Sequence, residues 1–200
     1  QRAFEVGRWA AVNGAEVAKL TTAEVVALPN TLDEKIAYRV AHLTAYQGPR
    51  LAKKFLKLVE RAEDPRLKEA IAKGYHKLLA YKDEYEVARL LTQTQEKADA
   101  VFEGEFDLKH HLSPPLWGKK GADGRPLKRE YGAGMARLFP WLAKLKRLRG
   151  TPFDPFGYSP ERRMERRLIR EYRRTMAEVL KAPAQNMEAA VALAELPLQV

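Results

Sequence analysis

The chain has 200 residues, 46% apolar and 31% charged, a balance that describes a folded domain with a heavily charged surface. It contains no cysteine, which removes disulfides, thiolate nucleophiles, thiolate zinc sites and cysteine-held iron–sulfur clusters within these residues. The net charge of +10 is concentrated in Lys119–Arg174, which holds 17 basic against 6 acidic residues, so a negatively charged partner is expected.

No apolar run approaches the roughly 18 residues of a membrane span. Arg2, Glu5 and Arg8 interrupt any secretory apolar core, so the expected compartment is the cytoplasm with no membrane partner. The chain begins at Gln1 rather than Met, and we expect a module of a longer chain.

In chain order, Phe4–Val12 reads as a short amphipathic helix. Thr31 and Glu34 form a capping box for a helix carrying Ile36, Ala37, Val40 and Leu43, stopped by Gly48-Pro49. A second helix from Pro49 bears Leu51, Phe55, Leu58 and Val59. Asp64-Pro65 caps a third with Leu67, Ile71, Tyr75, Leu78 and Leu79. Helix formers continue through Lys82–Leu91 and Gln93–Phe102. Alternation over Phe106–Leu112 and Leu127–Tyr131, around Asp123-Gly124, predicts a β-hairpin over about 106–131. Gly132–Leu148 returns to helix, with Pro140 as a kink or second start. Ser159-Pro160 opens a basic helix over about 160–181, and a last helix over 185–196 ends at Pro197. The fold expected is mainly α, a single helical domain of about seven or eight helices with one small β-hairpin.

Candidate chemistry is sparse. Of the four histidines, His42, His76, His110 and His111, the last two are adjacent on a predicted strand and face opposite ways, so they do not readily grip one ion, and structural or surface roles are expected. GKKGADGR at 118–125 lacks the Lys-Ser/Thr ending and following helix of a phosphate-binding loop. Lys82, Asp83, Glu84 and Glu86 could supply acid–base chemistry. The plainer account is acids at a helix start with a Lys82–Glu86 pair, and between the two lies a structural ion-pair network joining this helix to the basic one. On the basic helix Met164, Leu168, Tyr172, Met176 and Val179 form a packing stripe. Arg162, Arg163, Arg166, Arg167, Arg170, Arg173 and Arg174 are then expected on the flanks and outer face, as a solvated surface or a docking surface for an acidic partner. Nucleic acid is the alternative partner for the basic 119–174 segment.

Four stretches carry a resemblance: AYKDEYEVARLL (80–91), FEGEFDLKHHLSPPL (102–116), GRPLKREYG (124–132) and RGTPFDPFGYSPERRMERRLIREY (149–172). With QRAFEVGRWAAVN and TLDEKIAYRVAHLTAYQ (31–47), they resemble the C-terminal region of indolepyruvate ferredoxin oxidoreductases, of the 2-oxoacid:ferredoxin oxidoreductase family. The resemblance implies a module of an enzyme that oxidatively decarboxylates arylpyruvates with thiamine diphosphate, Mg²⁺ and iron–sulfur clusters, passing electrons to ferredoxin. No thiamine-binding Gly-Asp-Gly motif or cluster-ligating cysteine is found here, so no catalytic, cofactor or metal residue carries over. The module is expected to be non-catalytic alone, its partners being other domains or subunits of the oxidoreductase and ferredoxin.

Overall fold

A computed structural model describes residues 2–21, 28–104, 106–113, 127–182 and 186–199. The chain divides into two compact units, 1–31 and 32–200. The first carries α1 (Arg2–Val12) and α2 (Gly14–Thr21). Asn13 separates them, its side-chain amide donating to the Trp9 carbonyl at 2.9 Å.

The second unit is mainly α with a small two-stranded antiparallel sheet. It runs α3 (Leu32–Tyr46), α4 (Pro49–Val59), α5 (Pro65–Leu79), α6 (Glu84–Val101), β1 (His110–Leu112), β2 (Arg129–Tyr131), α7 (Ala133–Ala136), α8 (Phe139–Lys144), α9 (Pro160–Val179) and α10 (Met187–Glu195). No helix among the described residues is long and apolar enough to cross a membrane.

α5 is the hub, packing against α3, α4, α9 and α10. Its start is fixed by Asp64, which accepts from the Arg66 and Leu67 amides at 2.8 and 3.3 Å, followed by Pro65. One face contributes Leu67, Ile71, Tyr75 and Leu79 to a core shared with Leu43, Phe55, Val59, Tyr172 and Met176. Tyr75 stacks between Phe55 and Tyr172, with ring centroids 6.1 and 5.8 Å away. Gly74 faces α10: a Cβ there would collide with the Ala194 carbonyl oxygen, which also accepts a 2.9 Å bond from the Tyr172 hydroxyl. Gly48 holds φ at +126°, which lets α3 end and Pro49 begin α4 at once.

Several boundaries differ from expectation. The two runs at 82–91 and 93–102 are one helix, α6, capped by Asp83, whose carboxylate accepts from the Glu86 amide at 2.9 Å. The helix expected over 132–148 breaks into α7, α8 and a 3₁₀ turn at Leu145–Leu148. Pro140 lies in the first turn of α8, where its missing N–H costs nothing. The C-terminal helix stops at Glu195, and a 3₁₀ turn, Leu196–Gln199, carries the chain through Pro197. The hairpin pairs His110 with Tyr131 and Leu112 with Arg129, while the Asp123-Gly124 turn lies outside the described residues.

Candidate functional site

The polar centre of the second unit joins two helix ends. The C-terminus of α3 leaves carbonyls without helical partners, and the N-terminus of α6 leaves amides. Lys146 donates to the Ala45 carbonyl and Arg149 Nη1 to the Tyr46 carbonyl at 3.1 Å. Arg149 then grips Asp83 with both forks, Nε to Oδ2 at 2.5 Å and Nη2 to Oδ1 at 2.8 Å, each side chain only 3% exposed. A single guanidinium thus ties the negative end of one helix dipole to the capping carboxylate of another. Burial works against the Arg149 charge, but the bonds to Asp83 and the surrounding phenols outweigh it, and its pKa rises.

Aromatic rings wall off this ion pair. Arg149 lies 3.7 Å over the Tyr46 ring, whose hydroxyl donates to the Tyr81 carbonyl at 2.7 Å. Burial pushes the Tyr46 phenol far up and Tyr81 up to about 12. These phenols are poor proton donors near neutrality.

The Pro- and Gly-rich segment before α9 is a loop built round Asp154. That carboxylate accepts from the Gly150 amide at 2.8 Å, the Phe156 amide at 3.2 Å and the Tyr85 hydroxyl at 2.9 Å. Burial, then the bond to Asp154, raises the Tyr85 pKa. Gly150 takes φ +74°, and a Cβ on Gly157 would lie 2.8 Å from Asp154 Oδ2. Arg166 donates through Nη2 to the Gly157 carbonyl, fastening α9 to the loop. Its Nη1 is buried without a hydrogen-bond partner among the described residues.

The structure places the four charged residues of 82–86 apart. Asp83 holds Arg149. Glu86, 6% exposed, takes a bidentate grip from Arg89 at 2.8 and 2.6 Å, so the expected Lys82–Glu86 pair does not form. Lys82 precedes the helix with its side chain exposed, and only its carbonyl is engaged, by Arg162 at 3.3 Å. Glu84 stands 4.0 Å from Arg162, with its pKa raised first by burial, against the pull of its own backbone amide and of Arg162.

The expected packing stripe of α9 holds in its C-terminal half and departs in its N-terminal half. Met164 and Leu168 are 57% and 42% exposed, whereas Ile169, Tyr172, Met176 and Val179 pack inward. Arg162 and Arg166 therefore leave the outer-face set. Arg162 turns toward α6 and pairs with Glu165 at 2.5 Å, since Glu84 and the Lys82 carbonyl offer acceptors that Met164 could not use. Arg163, Arg167, Arg170, Arg173 and Arg174 remain exposed, and among them Arg167 bonds Glu171 at 2.7 Å.

A groove of about 370 Å³ runs along this helix. It is lined by Arg170, Arg173, Arg174 and Ala177 of α9 and, across from them, Lys54, Lys57, Leu58 and Arg61 of α4 and the turn after it. Sequence reasoning missed the α4 row. Its lysines look like ordinary solvated charges, and only the tertiary fold sets them opposite α9. The available signal was Lys54, Lys57 and Arg61 recurring on one side of a helix whose other side is apolar.

No group of three metal-ligating side chains occurs among the described residues, and the four histidines lie in two separate places. His110 packs edge-on against Phe139 while His111 is exposed, as the strand alternation requires. His42 Nδ1 and His76 Nε2 meet at 3.0 Å between α3 and α5. Burial lowers both, His76 down to about 4, helped there by His42 and Arg39.

Residues 32–200 match the profile of DUF6537, a family of unknown function. The chain belongs to that family. No curated protein and no solved structure matches it.

Proposed function

We propose that this chain is an accessory module of an indolepyruvate- or arylpyruvate:ferredoxin oxidoreductase, non-catalytic alone, that docks an acidic partner on the outer face of α9, ferredoxin being the partner in view. The sequence resemblance supplies the enzyme context. The observation that carries the docking role is a division of charge. Arg149, Arg162 and Arg166 are spent on internal acceptors, whereas the side chains of Arg163 and its exposed neighbours Arg170, Arg173 and Arg174 have no hydrogen bond or ion pair to a described residue. Exposed cations on one face steer an anionic partner at a rate that falls with salt. Phe153 and Trp141, 80% and 70% exposed, suit burial against other protein.

The thiamine diphosphate, Mg²⁺ and iron–sulfur clusters of such enzymes do not fit this chain's donor set. It has no cysteine, and its buried carboxylates Asp83, Glu86 and Asp154 are engaged by Arg149, Arg89 and the 150–156 loop. In this reading neighbouring polypeptide holds those groups. The test is Arg163→Glu with Arg167→Glu in the oxidoreductase, following kcat/KM for ferredoxin across ionic strength. We expect a rise in KM at low salt that fades as salt increases. Identical kinetics at every ionic strength would remove α9 from docking.

A further inference from the structure

We propose that the groove between α4 and α9 binds a small polyphosphate, free or as the phosphate tail of an organic molecule. Six cations line it: Lys54, Lys57, Arg61, Arg170, Arg173 and Arg174. No acidic residue lines it, and none of the six side chains has a hydrogen bond or ion pair to a described residue. Glu171, beside Arg170 on α9, has its carboxyl held below its usual range chiefly by the bond from Arg167, with weaker pulls from Arg174 and Arg170.

The spacing makes two facing rows. Lys54 and Lys57 lie three apart on α4 with Arg61 four further on in the turn after it, and Arg173 and Arg174 lie three and four beyond Arg170, so each row follows one side of its element. Leu58 and Ala177 complete the lining, and their side chains offer no competing acceptor. Arginine forks match phosphate oxygens two at a time, while lysine ammoniums supply point charge from the opposite wall.

Size and charge density select the ligand. A cleft of about 370 Å³ suits a small molecule rather than a helix of another protein. Within such a volume a chain of phosphates brings far more negative charge than a few carboxylates, since a phosphate monoester carries about −1.5 to −2 near neutrality. Arg170, Arg173 and Arg174 are shared with the proposed docking face, but the groove also needs Lys54, Lys57 and Arg61 of the facing element, whereas docking is tested at Arg163 and Arg167, which do not line it.

The test is calorimetric titration of the full chain with inorganic tripolyphosphate at about 50 mM salt, where screening leaves such contacts strong. ATP, a short DNA duplex and a hexaglutamate peptide are titrated alongside. We expect saturable one-to-one binding of tripolyphosphate, and of ATP through the same groove. Lys57→Gln with Arg173→Gln should weaken it roughly ten-fold or more. Lys54→Gln with Arg174→Gln, an independent pair of exposed positions, should do the same. Arg50→Gln with Lys53→Gln removes equal charge from α4 outside the lining and should leave affinity within about two-fold. The proposal is overturned by absence of saturable tripolyphosphate binding, by equal losses in lining and control pairs, or by tighter binding of the duplex or the peptide.

Discussion

Replacing Arg149 by methionine should be the most damaging single change in the second unit. It removes the charge, both bonds to Asp83 and the bond to the Tyr46 carbonyl, and leaves a 3% exposed carboxylate holding only the Glu86 amide. Breaking a buried pair from one side costs about 3–5 kcal/mol, because the surviving charge stays desolvated. Loss of the stack on Tyr46 adds up to about 2 kcal/mol. A domain of this size is stable by about 5–15 kcal/mol, so roughly a fifth of the total or more is at stake. At about 2–4 °C per kcal/mol, Tm should fall by roughly 6 °C or more. Urea unfolding followed by far-UV circular dichroism reads the change in Arg149→Met, Asp83→Leu and the double variant. The double variant buries no orphan charge, so it should lose clearly less than the sum of the single losses. A cost below about 1 kcal/mol, as for an exposed pair, or simple additivity, would refute the reasoning.

Acid should destabilise the unit through His76. Its folded pKa lies at about 4, below the unfolded value near 6.5, so the unfolded chain binds the extra proton first. This contribution is complete above pH 6.5 and is lost as pH falls toward 4. The ceiling is about 3 kcal/mol, or about 2 with solvent screening. His76→Gln should flatten urea midpoints over that window. Gly74→Ala should cost about 1–3 kcal/mol in the same assay by driving α10 off α5 at Ala194. Ser159→Ala and Asp64→Ala should each cost about 1 kcal/mol, since their side chains accept from the Arg162 amide and from the Arg66 and Leu67 amides.

Helix starts with a local chemical signature were legible in the sequence: Asp64-Pro65 and Ser159-Pro160 cap α5 and α9, and Gly48-Pro49 divides α3 from α4. The paired strands around 110–112 and 129–131 followed from alternation. Long-range pairing was not legible. Arg149 and Asp83 stand 66 residues apart, and nothing near Arg149 distinguishes it from Arg147, which stays exposed. Tyr172, Met176 and Val179 pack inward as their spacing predicts, but the first two turns of α9 escaped for a related reason. Met164 and Leu168 satisfy the apolar period, but the acceptors at Glu84, Lys82 and Gly157 draw Arg162 and Arg166 inward instead. Asp154 was hidden in a stretch that reads as turn. Its two flanking glycines, Gly150 and Gly157, were the clue that the backbone folds tightly round something there.

The most direct test of the account is calorimetric binding of ferredoxin to this chain at about 50 and about 300 mM salt. Saturable association at the lower salt, weakened roughly ten-fold or more at the higher and impaired by Arg163→Glu with Arg167→Glu, is the predicted result. Absence of binding at the lower salt, or an affinity indifferent to salt and to those two arginines, would contradict it.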